Sequence, residues 1–433
     1  MKKALVITYY WPPSGGAGVQ RWLKFVKYLR FFGWEPVIYT PSNPEYPELD
    51  SSLEKDVPEG VEVIRYPIWE PYSFYKRVSG KRKEEKIQAA FLSEKKVNPL
   101  AEKGSVWIRG NLFIPDARMF WIRPSVRFLK KKLTGYDIDL VISSGPPHSM
   151  HLIAMKVAGF LGKPWLADFR DPWTGIDFYE DLALTRYADR RHRRLELGVL
   201  RTATAVTVIS PTMATDLERI HPRKYEVITN GYDPDDMAGP GMAQPDDKFS
   251  IAYIGTLTAS RNLKVIWSAL SQLISENEDF RNDLRIRLVG KVDYTATETI
   301  RSFGLEDFVI RTGYLPHEEV VKVQRNAGVL LLLINDTPNA RCILPGKFFE
   351  YMASRRPILC IGPGDGDAAK ILQGTGAGLN SGYDDIGGTK SNILSLYHLF
   401  KEGRLAVPGG EIGSFSMKVL AGKMAELMDS ITG

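Results

Sequence analysis

The stretch Asn339–Cys360, NARCILPGKFFEYMASRRPILC, contains the pattern that decides the fold. Pro345 and Gly346 stand where a helix begins, because proline has a preset φ and its missing N–H is not needed in the first turn. Residues 347–354 can extend this helix for about two turns. Residues 358–361 then read as a short buried strand. A loop, a helix and an apolar strand in this order predict part of a parallel α/β sheet.

Glu350 is the unusual residue of this helix, because it lies among apolar neighbours one turn after the helix start. A carboxylate in this position can accept hydrogen bonds from the paired hydroxyls of a ribose, while the helix N-terminus favours phosphate. The alternative is an exposed carboxylate that is balanced by Lys347 or Arg355.

The segment PGKFFEYMASRRPIL resembles the donor-site helix of family 4 retaining glycosyltransferases, in particular a bacterial branch with a P-[SG]-K-x-[FY]-E-Y-x-A signature. In that family a glutamate at the position of Glu350 holds the nucleotide ribose. GGAGVQR at residues 15–21 and DFRDPW at residues 168–173 resemble the same family. The resemblance implies an α/β protein of two Rossmann-like, doubly wound domains that face each other across a cleft, the GT-B arrangement. It also implies a hexosyltransferase-type enzyme of EC class 2.4 that moves a sugar from a nucleotide-sugar donor to an acceptor with retention of configuration.

Length and composition agree with two domains of ordinary size, since the chain has 433 residues with 44% hydrophobic and 25% charged residues. Its two cysteines, Cys342 and Cys360, make a disulfide framework implausible. No run of about 18 apolar residues occurs, so we expect no membrane-spanning helix. The residues after Met1 continue into Pro-Pro-Ser-Gly-Gly without a cleavage site, which favours a first strand over a signal peptide. We therefore expect a cytoplasmic protein.

Positive charge is concentrated in the first half of the chain, where 36 Lys and Arg stand against 29 Asp and Glu up to Pro240. One interpretation is a set of solvated helix faces. The other is attraction to the anionic inner face of a membrane or to a phosphorylated lipid acceptor, with the first domain as the peripheral anchor. Nucleic acid is disfavoured, because no RNA- or DNA-binding motif accompanies the basic runs.

The pattern of strands and helices predicts the domain boundaries. Residues 1–236 form a first Rossmann-like domain on the acceptor side, with an insertion at about 67–119. Residues 237–248, rich in Pro, Gly and Asp, form a linker. Residues 249–412 form the nucleotide-sugar domain, and residues 413–433 form a terminal helix that in related transferases crosses back to the first domain.

The insertion breaks the α/β rhythm, because it is long, charged and interrupted by aromatic residues. We expect it to be helical at 83–92 and a loop at 98–110. Long insertions are usually functional or mobile. Its aromatic residues either pack against the domain or lie at a membrane interface.

The resemblance implies a binding site for the donor diphosphate in the second half. Family members carry a G-R-L-x-x-x-K-G stretch after the first strand there, whereas this chain has Thr256 in place of the arginine and Arg261 in place of the lysine. Arg261 is thus one candidate phosphate ligand, and Lys347 is a candidate for the missing cation. The turn at Gly255 and the helix start at Gly346 belong to the same predicted site.

The first half supplies the predicted acceptor side. Gly15, Gly16 and Gly18 form a loop of small residues that can approach donor phosphates or the acceptor; a tight structural turn is the alternative. At the end of a later strand, the cluster Asp168-Phe169-Arg170-Asp171 is either catalytic or a capping Asp171 with a structural Asp168–Arg170 pair.

In better-known members of the family, a histidine beside the reacting sugar occupies the position of Arg170. We predict that Arg170 stabilises leaving-group charge and that Asp171 or His148 contacts sugar or acceptor hydroxyls. A second departure is Cys342, which stands where relatives have a glutamate near the donor sugar, eight residues before Glu350.

These departures leave three functions open. The first is a transferase of cell-surface polysaccharide or lipid-linked glycan biosynthesis. The second is a nucleotide-sugar epimerase of the same architecture, which needs no second substrate. The third is a degenerate nucleotide-sugar-binding protein without turnover. We expect no cofactor and no metal, because no carboxylate pair with DxD spacing stands at a plausible site.

Overall fold

The computed structural model describes residues 1–71, 99–237, 246–405 and 412–433. These residues divide into two compact units. The first unit contains the described residues up to Thr229 together with Met417–Gly433, and the second contains those from Asn230 to Ser416.

The sheet of the first unit has seven parallel strands in the described residues: β1 (Lys2–Ile7), β2 (Trp34–Pro41), β3 (Glu62–Tyr66), β4 (Leu140–Gly145), β5 (Trp165–Phe169), β6 (Ala205–Val208) and β7 (Glu226–Val227). Their order is β3-β2-β1-β4-β5-β6-β7. Leu5 of β1 pairs with Val37 of β2 on one side and with Val141 of β4 on the other. The strand order reverses between β1 and β4, so the sheet is doubly wound, and ligands of such sheets bind at the carboxyl ends of the strands.

The helices of the first unit are α1 (Ala17–Leu29), α2 (Pro99–Leu112), α3 (Met119–Lys132), α4 (Ser149–Leu161), α5 (Arg186–Thr202), α6 (Pro211–Ile220) and, from the end of the chain, α15 (Met417–Thr432). α15 packs against α1. Trp22 and Phe25 of α1 share one buried apolar cluster with Met424 and Met428 of α15. The terminal helix is therefore part of the core of the first unit.

The second unit is built on six parallel strands: β8 (Phe249–Ile254), β9 (Leu284–Val289), β10 (Val309–Thr312), β11 (Val329–Leu333), β12 (Ile358–Ile361) and β13 (Gly378–Ser381). Their order is β10-β9-β8-β11-β12-β13, which is again doubly wound. The central strand β11 is buried along its whole length, as expected for a strand with helices on both faces.

The helices of the second unit are α7 (Pro234–Met237), α8 (Lys264–Glu276), α9 (Glu278–Asp283), α10 (Tyr294–Ser302), α11 (His317–Asn326), α12 (Gly346–Ala353), α13 (Asp367–Thr375) and α14 (Ile386–Lys401). Phe348, Tyr351 and Met352 of α12 are buried in a core cluster with β11 and β12. The apolar spacing of the opening stretch thus produces the predicted helix and strand.

The sequence-based prediction of an α/β protein with two Rossmann-like sheets is confirmed. One local prediction is wrong: the loop expected at 98–110 is the helix α2. Pro99 stands at its start, as proline does in many helices. Gly110 lies so close to the segment before α5 that a Cβ atom there would come within 2.8 Å of Leu184. α2 therefore packs against a segment that is distant in sequence, a contact that the local pattern does not reveal.

Two other predictions have a different outcome. The pattern of residues 225–233 predicts a strand followed by a turn, and the structure has the two-residue strand β7 there. The helix predicted at 83–92 and most of the predicted linker lie outside the described residues. No helix within the described ranges is long and apolar enough to cross a membrane.

Candidate functional site

The carboxyl ends of β8 and β9 approach each other closely in the second unit. Gly255 follows β8 with φ +116°, and Gly290 follows β9 with φ +112°, values that side chains disfavour. A Cβ atom on Gly290 would lie 2.6 Å from the carbonyl oxygen of Gly255. The two glycines therefore allow contact between the loops at the edge of the sheet where ligands of such folds bind.

Lys347 lies beside this turn, in the first turn of α12. Its Nζ donates to the carbonyl oxygen of Ile254 over 2.9 Å and lies 3.8 Å from the ring centroid of Tyr253. Burial lowers the pKa of the Lys347 ammonium well below its ordinary value, and the positive charge of Arg261 lowers it further, whereas Glu350 opposes the shift. An anion bound here would favour the charged form of the lysine.

Arg261 is the second cation of this cluster. Its Nε donates to Oδ1 of Asn335 over 2.9 Å, and its Nη1 lies 3.5 Å from the carbonyl oxygen of Thr256. In the described part of the chain, neither Arg261 nor Lys347 has a carboxylate within ion-pair distance. Two neighbouring cations without an acidic partner form a site of positive potential, which suits an anion such as a diphosphate.

The start of α12 adds a further attraction for anions. Pro345 caps the helix in an extended conformation and, as a proline, has no side-chain acceptor for the first-turn amides. Gly346 has open space where a Cβ atom would stand. The positive end of the helix dipole is therefore accessible beside the Lys347 ammonium.

Glu350 lies one turn further along α12 and is partly buried. Its Oε2 accepts a hydrogen bond from Nε2 of Gln324, a residue of α11, over 2.9 Å. Sequence reasoning missed Gln324, because the pattern of α11 is that of an ordinary amphipathic helix and contains no motif.

Cys342, which stands where relatives have a glutamate, ends a short 3₁₀ turn that begins at Ala340. Its side chain is buried, and its thiol donates to the carbonyl oxygen of Asn339 over 3.2 Å. A buried thiol bonded to its own turn supplies no carboxylate for a donor sugar.

In the first unit, Asp168 at the end of β5 is fully buried and forms an ion pair with Arg21 of α1 over 2.9 Å. The indole of Trp22 and the hydroxyls of Ser144 and Thr207 also donate to its oxygens, over 2.8, 3.2 and 2.8 Å. Burial by itself would raise the pKa of Asp168, but the charge and hydrogen bonds of Arg21 and its neighbours hold it below the usual range. Asp168 is thus paired with Arg21, which joins α1 to the sheet, and not with Arg170 as in the structural alternative considered for this cluster.

Arg170 instead joins two loops. Its Nη1 donates to the carbonyl oxygen of Gly18 over 2.6 Å, and its Nη2 donates to the carbonyl oxygen of Pro146. Its Nε is buried and has no hydrogen-bond partner among the described atoms. Burial is the main cause that lowers the pKa of the guanidinium. Arg170 thus holds the glycine loop after β1 beside the loop after β4.

His148 precedes α4 and is buried against the ring of Trp173, with the two rings parallel and their centroids 4.5 Å apart. The Nε1 of Trp173 donates to Nδ1 of His192 over 3.1 Å. Burial lowers the pKa of His148 well below its ordinary value, and the neighbouring His151 and His192 add to this effect. His148 is therefore neutral at physiological pH, and its Nδ1 is without a hydrogen-bond partner in the ranges that the structure describes.

His151 lies one turn further into α4 and is fully buried. Ser143 accepts from Nε1 of Trp165 over 2.9 Å and lies 2.8 Å from Nδ1 of His151. Ser143 can donate its hydrogen to Nδ1 or accept from it, since a hydroxyl has two acceptor lone pairs, and Nε2 of His151 is buried without a hydrogen-bond partner in the described ranges. His151 is thus a packed histidine of the core.

The remaining predicted residues of the first unit lie at its surface or in the glycine loop. Asp171 is exposed. The amide of Gly15 donates to the carbonyl oxygen of Glu48 over 3.0 Å, and Gly16 precedes α1 with φ +81°. At Gly18, a Cβ atom would come within 2.9 Å of the ring of Tyr10. The positive φ at Gly16 and the close approach of Gly18 to Tyr10 thus explain why glycine occupies these two positions.

The structure brings the predicted residues together in two groups. Gly255, Arg261, Lys347 and Glu350 gather around the carboxyl end of β8 and the start of α12 in the second unit. Arg170 and His148 lie near each other in the first unit, where Arg170 contributes to the lowered pKa of His148. Arg21, which stands inside the GGAGVQR segment, was missed as the partner of Asp168.

Comparison with solved structures gives matches over almost the whole chain. Sucrose-phosphate synthase of Thermosynechococcus elongatus is 16% identical, with 99% of each chain covered and a TM-score of 0.62. WaaG, a glycosyltransferase involved in lipopolysaccharide biosynthesis, is 13% identical, with 98% of this chain and 99% of that chain covered and a TM-score of 0.57. The UDP-GlcNAc 2-epimerase of Methanocaldococcus jannaschii is 11% identical, with 99% of this chain and 100% of that chain covered and a TM-score of 0.52. At these identities the matches establish the fold, which is GT-B.

Comparison with proteins of curated function gives no match. Two family patterns do match: Glycosyltransferase Family 4 over residues 83–236, and Glycosyl transferases group 1 over residues 248–397. Since the two matches together span well over half of the sequence, the chain belongs to glycosyltransferase family 4, the enzymes of which are retaining hexosyltransferases of EC class 2.4.

Proposed function

We propose that this glycosyltransferase binds the diphosphate and ribose of its nucleotide-sugar donor in the second unit and transfers the sugar to a cell-surface polysaccharide or a lipid-linked glycan. The observation that carries the donor part is the grouping of Lys347, Arg261 and the open start of α12, with Glu350 one turn away. The cations and the helix start would stabilise the charge that develops on the departing diphosphate. Glu350 would accept hydrogen bonds from the ribose hydroxyls.

On the acceptor side, we propose different roles for the three predicted catalytic residues. The Nη atoms of Arg170 bind Gly18 and Pro146, so its first role is to position the glycine loop. Its buried Nε is the atom that could still face leaving-group charge. The exposed Asp171 and the neutral His148 are the candidates for contacts with sugar or acceptor hydroxyls.

The acceptor class is supported by a surface of the first unit that suits an anionic membrane. Phe120, Arg123, Arg127 and Lys131 are all exposed and recur at helical spacing on one face of α3. Next to the start of this face, the exposed ring of Trp69 contacts Phe120 edge to face, with centroids 4.8 Å apart. Aromatic side chains beside a row of cations favour the interface of a bilayer that contains anionic lipid.

Liposome sedimentation tests this surface. Wild-type protein should sediment with vesicles of phosphatidylcholine and phosphatidylglycerol and much less with phosphatidylcholine alone. The double variant Arg123→Glu/Arg127→Glu should lose this binding. Lys418→Glu/Lys423→Glu, which makes the same charge change on exposed positions of α15, should keep it. Equal sedimentation of both double variants would refute the proposal that this face of α3 binds an anionic membrane.

Thermal stabilisation by UDP, GDP, ADP and their sugar derivatives tests the donor site. Ligand at about 100 times its dissociation constant stabilises by about 2.7 kcal/mol, which is about 5–11 °C for a domain of this size. The shift should disappear in Glu350→Ala and persist in Glu298→Ala, which removes a surface glutamate of the same unit. No shift with any nucleotide would refute the donor site.

The nucleotide sugar that binds then separates transfer from its alternatives. Incubation with that donor and a membrane extract should give a glycosylated acceptor with the anomeric configuration of the donor. Conversion of the nucleotide sugar alone would indicate an epimerase instead. Binding without either reaction would indicate a degenerate binding protein.

A further inference from the structure

Gln324 is the neighbour that the structure gives to the Glu350 carboxylate. Its Nε2 donates to Oε2 of Glu350 over 2.9 Å, and the two residues lie on the packed helices α11 and α12. The described residues place no cation within ion-pair distance of Glu350. The carboxylate is therefore oriented by a neutral amide.

The position of Gln324 is unusual for a glutamine, because its side chain is completely inaccessible to solvent. Glutamine is rarely buried in this way. The neighbouring Val320 and Val323 pack against the apolar core of the second unit. An apolar residue would suit the site at least as well as an amide if packing were its function.

The hydrogen bonds of Gln324 point to the same conclusion. Its amide nitrogen must face Glu350, since the flipped amide would place two acceptor oxygens against each other. In this orientation Oε1 of Gln324 is buried and has no partner in the described part of the protein. A buried acceptor without a partner is unfavourable. In the orientation that donates to Glu350, Gln324 therefore leaves its own carbonyl oxygen without a hydrogen bond.

We propose that Gln324 is a positioning residue that holds the Glu350 carboxylate for the ribose hydroxyls of the donor nucleotide. This inference rests on the proposed donor site. With Oε2 bound by the amide, the rotation of the carboxylate is restricted before the ligand arrives. Oε1 of Glu350 and the remaining lone pairs of Oε2 stay available to two adjacent hydroxyls. Preorganisation of this kind improves binding without adding a contact to the ligand.

The test compares the affinities of ribonucleotides and 2′-deoxyribonucleotides by calorimetry, with UDP, GDP and ADP and their 2′-deoxy counterparts as probes. Gln324→Leu should weaken binding of the ribonucleotide about tenfold and binding of the 2′-deoxy form much less, because a hydrogen bond to a charged group is lost. The preference for the ribonucleotide should therefore fall severalfold. In the Glu350→Ala background, Gln324→Leu should change this preference no further.

A second measurement separates positioning from a structural role. Gln324→Leu removes a buried acceptor that lacks a partner, so its melting temperature without ligand should be unchanged or higher. Val321→Ala is the matched control, because it removes buried apolar volume from the same helix. This control should lower the melting temperature and leave the ribonucleotide preference intact.

The possible outcomes are distinct. If wild type prefers the ribonucleotide, Glu350→Ala loses the preference and Gln324→Leu keeps it, the donor site stands and the positioning role is refuted. A lower melting temperature of Gln324→Leu with an unchanged preference would also refute it, because the residue would then be structural. If wild type binds none of the six nucleotides, the proposed donor site and the positioning role of Gln324 are both refuted.

Discussion

Asp168→Asn tests whether the buried Arg21–Asp168 pair anchors α1 to the sheet of the first unit. The substitution keeps the shape of the side chain but leaves the guanidinium of Arg21 without its negative partner, in a place where both side chains are at most 2% exposed. Loss of one partner of a buried ion pair typically costs about 3–5 kcal/mol. In a domain of 150–250 residues this corresponds to a melting temperature about 6–20 °C lower. Differential scanning calorimetry of the full chain measures this value.

Two further variants separate the buried charge from general damage. Asp216→Asn breaks a salt bridge to Arg219 that is exposed on α6, and should cost at most about 1 kcal/mol. The double variant Arg21→Met/Asp168→Leu removes both charges and should be more stable than Asp168→Asn, since apolar replacements of a buried pair are often tolerated. If Asp168→Asn melts within about 2 °C of wild type, the pair is not an anchor.

The Arg21–Asp168 pair also predicts how the stability of the protein depends on pH. Because the pKa of Asp168 is lowered in the folded state, its stabilising contribution is present above the ordinary pKa of aspartate, about 3.9. It is lost as the pH falls through the folded value. The difference in melting temperature between wild type and Asp168→Asn should therefore be constant near neutral pH and shrink below about pH 4. A difference that grows in acid would contradict the assigned ionisation state.

Three other results are expected. Lys347→Met should weaken binding of the cognate nucleoside diphosphate about 10–100-fold in calorimetry. Its melting temperature without ligand should equal or exceed that of the wild type, because burial disfavours the charged lysine. Unchanged affinity would exclude Lys347 from the phosphate site. Burial lowers the pKa of His151 to about 3, so the unfolded chain binds a proton that the folded chain does not, and stability should fall as the pH drops from about 6.5 towards 3. His151→Asn should make acid unfolding less steep in that range, and an equal slope would contradict the buried neutral ring. Deletion of Met417–Gly433 should expose the apolar face of α1 and yield aggregated protein; a soluble, cooperatively melting product would show that α15 is dispensable.

The helix that carries the proposed donor-site residues could be predicted from sequence because its determinants are local. Pro345, Gly346, Lys347 and Glu350 lie within six residues, and the helical repeat determines which of them share a face. The spacing therefore indicated the helix, whereas the resemblance to family 4 suggested Lys347 as a phosphate ligand. Local sequence could not identify Gln324, which lies 26 residues before Glu350 on another helix.

The first unit contains contacts that a single sequence does not predict. One alternative for the DFRDPW segment paired Asp168 with Arg170, but β5 ends at Phe169 and the guanidinium of Arg170 binds the carbonyl oxygens of Gly18 and Pro146 instead. Arg21, the true partner, is separated from Asp168 by 147 residues. Only the packing of α1 on the sheet brings the two together, and a single sequence contains no signal for such a long-range pair. The loop predicted at 98–110 was wrong for a related reason, since the helix α2 packs against the segment before α5, which is distant in sequence.

The segments GGAGVQR and DFRDPW, which sequence reasoning treated as two motifs, are one structural unit. Arg21 of the first segment binds Asp168 of the second, and Arg170 of the second binds the carbonyl oxygen of Gly18 of the first. Loss of activity in an Arg170 variant would therefore not identify a catalytic group, because the glycine loop would move as well. Arg170→Lys keeps a positive charge but cannot reproduce the two-armed contact of the guanidinium. If Arg170→Lys is as inactive as Arg170→Met while both variants remain folded, the reaction requires the two-armed contact of the guanidinium with Gly18 and Pro146. If Arg170→Lys retains the transfer rate of the wild type, the positive charge itself acts on the leaving group.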